Sequence, residues 1–223
     1  MNFVFVSPHF PKTYWNFCER LHRNGVNVLG IGDAPFDEIP WQLKHCLTEY
    51  YRVNDLGNYD EMLRAVAYFT FHYGKIDWLE SNNEYWLEMD AQMRTDFNIT
   101  TGAQNDFIER IKYKSKMKES YIAAGVPVAR HHMVSTLTAA KAFIKEVGYP
   151  VIVKPDNGCG AEATYKLKTM PNWKRSMRNC RILPILWKNS STAPSSALTE
   201  WPTAIACRCS TPPTSSPPQC WTS

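Results

Sequence analysis

The stretch VIVKPDNGCGAEATYK, from Val151 to Lys166, delivers Lys154 to the end of an apolar run and follows it with a loop bearing Gly158 and Gly160. Such a loop, flanked here by small Ala161, Ala163 and Thr164, can hold a phosphate. Glycines let backbone N–H groups turn toward the anion with no Cβ in the way, and the lysine supplies the positive charge that neutral amides lack. The order excludes two commoner nucleotide motifs. In a Walker loop the lysine follows the glycines, and a dinucleotide fingerprint needs GxGxxG opening a helix directly after the strand. A lysine before a glycine-bearing turn also fits a plain hairpin.

The elements that must position these residues can be read around them. Tyr149 to Pro155 (YPVIVKP) is a buried strand. Before it, Thr136 or Thr138 caps a helix whose apolar face is Ala139, Ala140, Phe143, Ile144 and Val147, and Gly148 with Pro150 stops it. Val128 to Val134 reads as a strand. A helix from about Asp106 carries Phe107, Ile108 and Ile111 and then Lys112, Lys114, Lys116 and Lys118. It ends at Gly125, with Pro127 preventing continuation. Of its lysines, Lys112, Lys116 and Lys118 read as a solvated helix face.

Further upstream the pattern is strand, helix, strand: Asn2 to Val6, a helix from about Lys12 to Asn24 closed by Gly25, and Val26 to Ile31. Parallel strands joined by a crossover helix define a βαβ unit, so the front is doubly wound. A polar stretch near Asp33 to Pro40 follows, then a helix near Tyr59 to Tyr73, a strand at Ile76 to Leu79 and a helix from about Asn83 to Arg94. Ligands of open α/β sheets sit beyond the carboxyl ends of the strands. That edge would carry Ser7, Pro8, His9, Gly32, Asp33, Glu80, Ser81 and Asn82.

The formal charge of +4 over 223 residues is unevenly placed. Residues 1 to 167 carry 18 Lys+Arg against 20 Asp+Glu, and residues 168 to 223 carry 7 against 1. The basic excess belongs to the tail, where the charges are scattered rather than patterned, so no nucleic-acid partner is expected. No apolar run approaches a membrane span, and the start MNFVFVSPHF has no basic region of a signal peptide. The seven cysteines match no zinc or redox spacing. A cytoplasmic protein with reduced thiols and no membrane partner is the expectation.

The order KSKMKESYIAAGVPVARHHMV, a helix, GYPVIVKP and a glycine loop resembles the ATP-grasp superfamily, which contains biotin carboxylase, carbamoyl-phosphate synthetase and D-alanine ligase. The resemblance covers roughly residues 1 to 167. It implies an α/β fold with a Rossmann-like pre-ATP-grasp domain over 1–104 and the N-terminal part of the ATP-grasp lobe over 105–167. By the same resemblance Lys114, eleven residues before Gly125, matches the first ATP-contacting lysine and Lys154 the second. Gly158 and Gly160 match the loop that closes over the phosphates. The implied cofactors are ATP and magnesium. The implied chemistry is activation of a small carboxylate as an acyl phosphate, followed by attack of an amine, with lysines and backbone amides offsetting the phosphoryl charge. With no biotin-carrier or glutaminase segment, a stand-alone carboxylate-amine ligase is preferred over the carboxylase and carbamoyl-phosphate routes. A non-catalytic protein holding a small ligand or nucleotide is the alternative.

From Lys168 the family pattern stops. No glycine follows Gly160, and 20 of the last 35 residues are Ser, Thr or Pro, the composition of an irregular or disordered tail over 168–223. Magnesium needs oxygen ligands, and the family draws them from this missing half, so no metal ligand or catalytic residue is assigned. The tail also holds tryptophans together with Cys180, Cys207, Cys209 and Cys220, which such linkers seldom carry. Some codon overlaps are forced by the genetic code. In the frame taking each third base with the next two, Met170-Pro171 must give Ala, Asn172-Trp173 and Asn179-Cys180 must give Leu, and Trp173-Lys174 and Trp187-Lys188 must give Glu. These fall where the family would want them. The expectation is a frameshift near Lys168 that replaced the back of the lobe and left a truncated, inactive copy.

Overall fold

In a computed structural model, which describes residues 1–158 and 164–169 together with the backbone of 184–187, the first strand β1 (Asn2–Val6) is buried along its whole length. Phe3 and Phe5 pack on one face with Cys18, Leu43 and Cys46, while Val4 and Val6 pack on the other with Met62, Val66 and Phe69. A strand covered on both faces shows a continuous apolar run instead of alternation. That is why NFVFV carries no polar residue after Asn2.

The parallel sheet is completed by β2 (Asn27–Gly32), β3 (Glu49–Arg52) and β4 (Trp78–Glu80), in the order β3-β2-β1-β4. The chain steps outward from β1 to β3 through α1 (Trp15–Arg23) and α2 (Trp41–Cys46). It then returns to the far side of β1 through α3 (Tyr59–Tyr73). The expected doubly wound arrangement holds, and the reversal places a crevice between the carboxyl ends of β1 and β4. A 3-10 turn at Glu84–Trp86 and α4 (Leu87–Asp96) follow β4. Neither α2 nor β3 is marked in the sequence, because a six-residue helix and the four-residue, half-buried EYYR are too short to show a period.

The β2 terminus is tightly filled. A Cβ on Gly32 would lie 3.0 Å from His9 Nδ1 and inside contact distance of the Tyr50 hydroxyl, which donates to the Ala34 carbonyl at 2.8 Å. Overpacking of this kind costs about 1–3 kcal/mol. Gly32→Ala is therefore expected to lower the urea midpoint, and Tyr50→Phe in the same chain to recover part of the loss. An equal loss with and without the tyrosine hydroxyl would contradict the steric cause.

The end of β4 is tied down by charge. Arg94 is 2% exposed and donates through Nε to the Leu79 carbonyl at 2.9 Å, through Nη1 to the Ala103 carbonyl at 3.0 Å and through Nη2 to Glu80 at 2.6 Å. Asp90, fully buried beside it, accepts from the Ser81 N–H at 3.0 Å and the Ser81 hydroxyl at 2.5 Å. Burial pushes the Asp90 carboxyl up to about 7, with Ser81 opposing the rise and Glu80 adding to it. A carboxyl that holds its proton more tightly folded than unfolded, above its ordinary 3.8, makes stability fall as pH rises from about 4 through about 7. Urea unfolding at a series of pH values is expected to show that decline, and Asp90→Asn to flatten it. A variant curve parallel to the parent would contradict the assignment.

A second sheet follows. A short helix α5 (Glu109–Lys112) and α6 (Lys114–Ala123) lead to β5 (His131–Met133), α7 (Leu137–Val147), β6 (Val151–Pro155) and β7 (Tyr165–Leu167). Thr136 is the cap of α7, accepting from the Ala139 N–H at 3.1 Å. Ala140, Ile144 and Val147 of that helix pack on Val151, Val153 and Leu167. Alternation along β6 then puts Ile152 and Lys154 on the face away from α7.

Within the segment 168–223, Pro184–Trp187 form a strand, β8, between β5 and β6 in the antiparallel order β5-β8-β6-β7. Ladder hydrogen bonds are made by backbone groups, so a strand place can be filled by any short β-prone run, here PILW. Apart from Lys168, Thr169 and this strand, the tail lies outside the described residues. Met1–Asn189 form one compact unit. Among the described residues no helix is long and apolar enough to cross a membrane.

Candidate functional site

The expected long helix from Asp106 is two helices, broken at Tyr113, whose backbone is extended (φ −92, ψ 125). The break makes Lys114 the first residue of α6 and leaves the α6 N–H groups in need of partners. Residues after β6 supply them. The Lys114 N–H donates to the Asp156 carbonyl at 3.1 Å, and Asp156 accepts from the Ser115 N–H at 2.8 Å and the Ser115 hydroxyl at 2.7 Å. Asp156 is thus a carboxylate at a helix N-terminus, where the partial positive charge favours it. The consequence is spatial. The start of α6 is clamped to the end of β6, which brings Lys114 and Lys154 to one place from 40 residues apart in sequence.

The Lys114 ammonium reaches along the loop, donating to the Gly158 carbonyl at 2.6 Å and toward the Asp156 carbonyl at 3.3 Å. Lys154 is half-buried. Burial lowers its pKa to about 8, and repulsion from Lys114 and then Lys118 adds to the fall. Burial and neighbouring cations both disfavour the charged ammonium, and an anion at this place would oppose both effects. Gly158 itself is exposed, and a Cβ there would meet nothing closer than Pro155 at 3.6 Å. Glycine at 158 is therefore not required by the backbone or by close packing. Gly160 lies outside the described residues.

The lysines read as a solvated face need correction. Lys116 is exposed and pairs with Glu119 at 3.2 Å, but Lys112 and Lys118 are 7% and 5% exposed. Lys112 donates to the Glu84 carbonyl, and Lys118 to the Ala129 carbonyl at 2.6 Å. The physical reason is helical phase. Residues two apart on a helix point to opposite sides, so an alternating run cannot form one face, and Lys114 with Lys118 share a side as an i, i+4 pair.

At the parallel sheet's edge the expected residues lie together but do different work. His9 Nε2 stands 3.0 Å from Asp33 beside Gly32. Glu80 and Ser81 are taken up by Arg94 and Asp90 and serve the fold. Ser7 and Asn82 hold left-handed backbone angles (φ 55 and 52) just after the ends of β1 and β4. Arg94, Asp90, Ser115, Asp156 and Lys118 had no sequence signal except the spacing of Lys118 from Lys114. A cavity of about 710 Å³ lined by Ile122, Val126, His132 and Phe143 contains neither Lys114 nor Lys154, so shape and charge point to different places. Charge convergence is the better guide to a phosphate site, because an anion is held by cations and amides.

Comparison with known proteins bears on the fold. No protein-family model and no curated protein matches the sequence. Solved structures do. An L-amino acid ligase from Bacillus licheniformis is similar over 83% of this chain and 43% of its own, with a TM-score of 0.62 at 17% identity. The biotin carboxylase domain of the Hydrogenobacter thermophilus 2-oxoglutarate carboxylase, solved with MgADP, ADP and bicarbonate, matches over 83% and 43% with a TM-score of 0.65 at 18% identity. An N5-carboxyaminoimidazole synthetase from Staphylococcus aureus complexed with ADP matches over 84% and 47%, with a TM-score of 0.62 at 14% identity. The chain has the ATP-grasp fold: a Rossmann-like parallel sheet followed by the first part of the ATP-grasp lobe. It spans less than half the length of these three proteins.

Proposed function

We propose that this chain carries the front of an ATP site of the kind used by ligases that activate a small carboxylate as an acyl phosphate for attack by an amine. Residues 1–104 would form the pre-ATP-grasp domain and 105–167 the start of the lobe, in the cytoplasm. The observation that supports the reading is that Lys114 reaches the loop after β6 and lies near enough to Lys154, at the end of that strand, to lower its pKa, in a fold shared with enzymes solved with ADP. In this role Lys114 and Lys154 bind the phosphate chain by charge-assisted hydrogen bonds, and the α6 clamp through Asp156 fixes their spacing.

Magnesium, when present, would supply charge neutralisation at the phosphates. The residues at hand do not fit it: among the described residues no three His, Cys, Asp or Glu gather into a group that could hold a metal ion. We therefore propose that the 223-residue chain is by itself an incomplete, inactive copy, its back half replaced through a frameshift near Lys168. Calorimetry is expected to show ATP and ADP binding in preference to amino acids, with no ATP turnover. Robust ATPase or ligase activity would overturn the inactive-copy reading, and amino acids binding in preference to nucleotides would favour a small-ligand binding protein. Sequencing the gene should show the displaced frame open beyond the present stop; early stops in that frame would sink the frameshift.

A further inference from the structure

Two thiols from separate helices meet on one face of the parallel sheet. Cys18 of α1 and Cys46, the last residue of α2, are 0% and 2% exposed and both are free. They share an apolar cluster with Phe3, Phe5, Val28 and Leu43. The Cys46 sulfur stands 3.2 Å from the Leu43 carbonyl and 3.9 Å from the carbonyl of Trp15, which lies one turn before Cys18 in α1. The two thiols are hydrogen-bonded to each other. A single buried cysteine is a small apolar side chain. Two in contact on different elements are also the reactants of a disulfide, and they reach bonding distance by side-chain movement more than by backbone movement.

The pair is chemically unequal. The hydrogen bond from Cys18 lowers the pKa of the Cys46 thiol, with burial opposing, while the same bond and burial raise that of Cys18. The more acidic thiol of a close pair supplies the attacking thiolate, and the other resolves the intermediate.

We propose that Cys18 and Cys46 form an oxidation site, at which hydrogen peroxide converts the two thiols to a disulfide that staples α1 to α2. Attack of the Cys46 sulfur on peroxide breaks the O–O bond, forms the S–O bond of a sulfenic acid and releases one water, which carries the Cys46 proton. Attack of the Cys18 sulfur on Cys46 then forms the S–S bond, breaks the S–O bond and releases a second water with the Cys18 proton. The sulfurs together give up two electrons, and the peroxide takes them. An oxidant close to water in size suits sulfurs this deeply buried, whereas glutathione disulfide is too large to reach them. The staple joins the two helices whose preceding loops hold the His9–Asp33 contact. The proposal is independent of the nucleotide reading.

The test treats the full chain with hydrogen peroxide, removes the excess with catalase, blocks remaining thiols with iodoacetamide in urea and maps the chain with trypsin. The expected product is a cross-link between the peptides Thr13 to Arg20, holding Cys18, and His45 to Arg52, holding Cys46, which dithiothreitol separates. The urea midpoint should rise on oxidation and fall back on reduction, as for a cross-link that restricts the unfolded chain. In Cys18→Ser that rise should vanish, and dimedone should trap a sulfenic acid on Cys46. Recovery of both cysteines alkylated overturns the proposal, and so does Cys46 joined to a cysteine other than Cys18. A cross-link that forms only at urea concentrations that unfold the chain also overturns it, and one that leaves the midpoint unchanged or lower overturns the staple. The peptide map of the parent chain decides the matter even where Cys18→Ser does not fold.

Discussion

Replacing Lys154 with Met is expected to lower the affinity for ATP roughly 10- to 150-fold, the range for losing a hydrogen bond to a charged partner. Methionine keeps most of the length and apolar packing of the stem, so the loss reports the charge. A pH series separates the site from general electrostatics. With the Lys154 pKa near 8, raising the pH above about 8 discharges the free protein's lysine, and nucleotide binding must then take up a proton. Affinity in the parent chain should decline above that pH, and the Met variant should lack this part of the decline. Linkage gives stability the opposite trend. The folded pKa lies below the ordinary 10.5, so the unfolded chain binds more protons between about 8 and 10.5, and the ligand-free protein gains stability as pH rises through that window. Identical pH profiles for parent and variant would remove Lys154 from the site.

Arg94→Met should have the largest effect on stability. Three backbone or side-chain acceptors converge on the guanidinium, and Gly102 packs so closely that a Cβ there would stand 2.9 Å from its Nε. The substitution strands the Glu80 carboxylate and two carbonyls, and removing one partner of a buried pair costs about 3–5 kcal/mol. That is a large part of the total stability of an ordinary domain, about 5–15 kcal/mol. Urea unfolding should show the midpoint collapsing, and Arg94→Lys should recover little, because one ammonium cannot reproduce the planar fork. A loss under about 1 kcal/mol would mean that Glu80 and the two carbonyls find water instead.

These two arginine and lysine sites differ in how far the sequence announced them. Lys154 was legible because a strand, a lysine and glycines follow one another in the chain, and local order of that kind survives in sequence. The doubly wound front was legible for the same reason: NFVFV and the stretch Val28 to Ile31 are buried on both faces, and α3 carries its own cap at Asn58 and stop at Gly74. Arg94 was not legible. In sequence it is an ordinary helical arginine, and its burial follows from Leu79, Glu80 and Ala103 meeting it in three dimensions. The clamp of Ser115 on Asp156 joins residues 41 apart and was hidden for the same reason.

The lysine run is a third case, in which the spacing of the residues holds the information. Spacing of four puts Lys114 and Lys118 together on α6, and spacing of two sends Lys116 to solvent. Tyr113, where α5 ends and α6 begins, was the missing piece. An extended residue inside an apparently continuous helical pattern is set by the docking of Asp156, and no local propensity records it. Likewise the backbone pairing of β8 with β5 and β6 could not be read from side-chain pattern.

The central claim is that phosphates lie against Lys114 and Lys154, and covalent mapping tests it most directly. An ATP analogue carrying an acyl phosphate transfers its acyl group to lysines beside the terminal phosphate. Digestion and mass spectrometry should then find the label on Lys114 or Lys154, and excess ATP should remove it. Label spread over solvent-facing Lys116, Lys141 and Lys145 and insensitive to ATP would contradict the site.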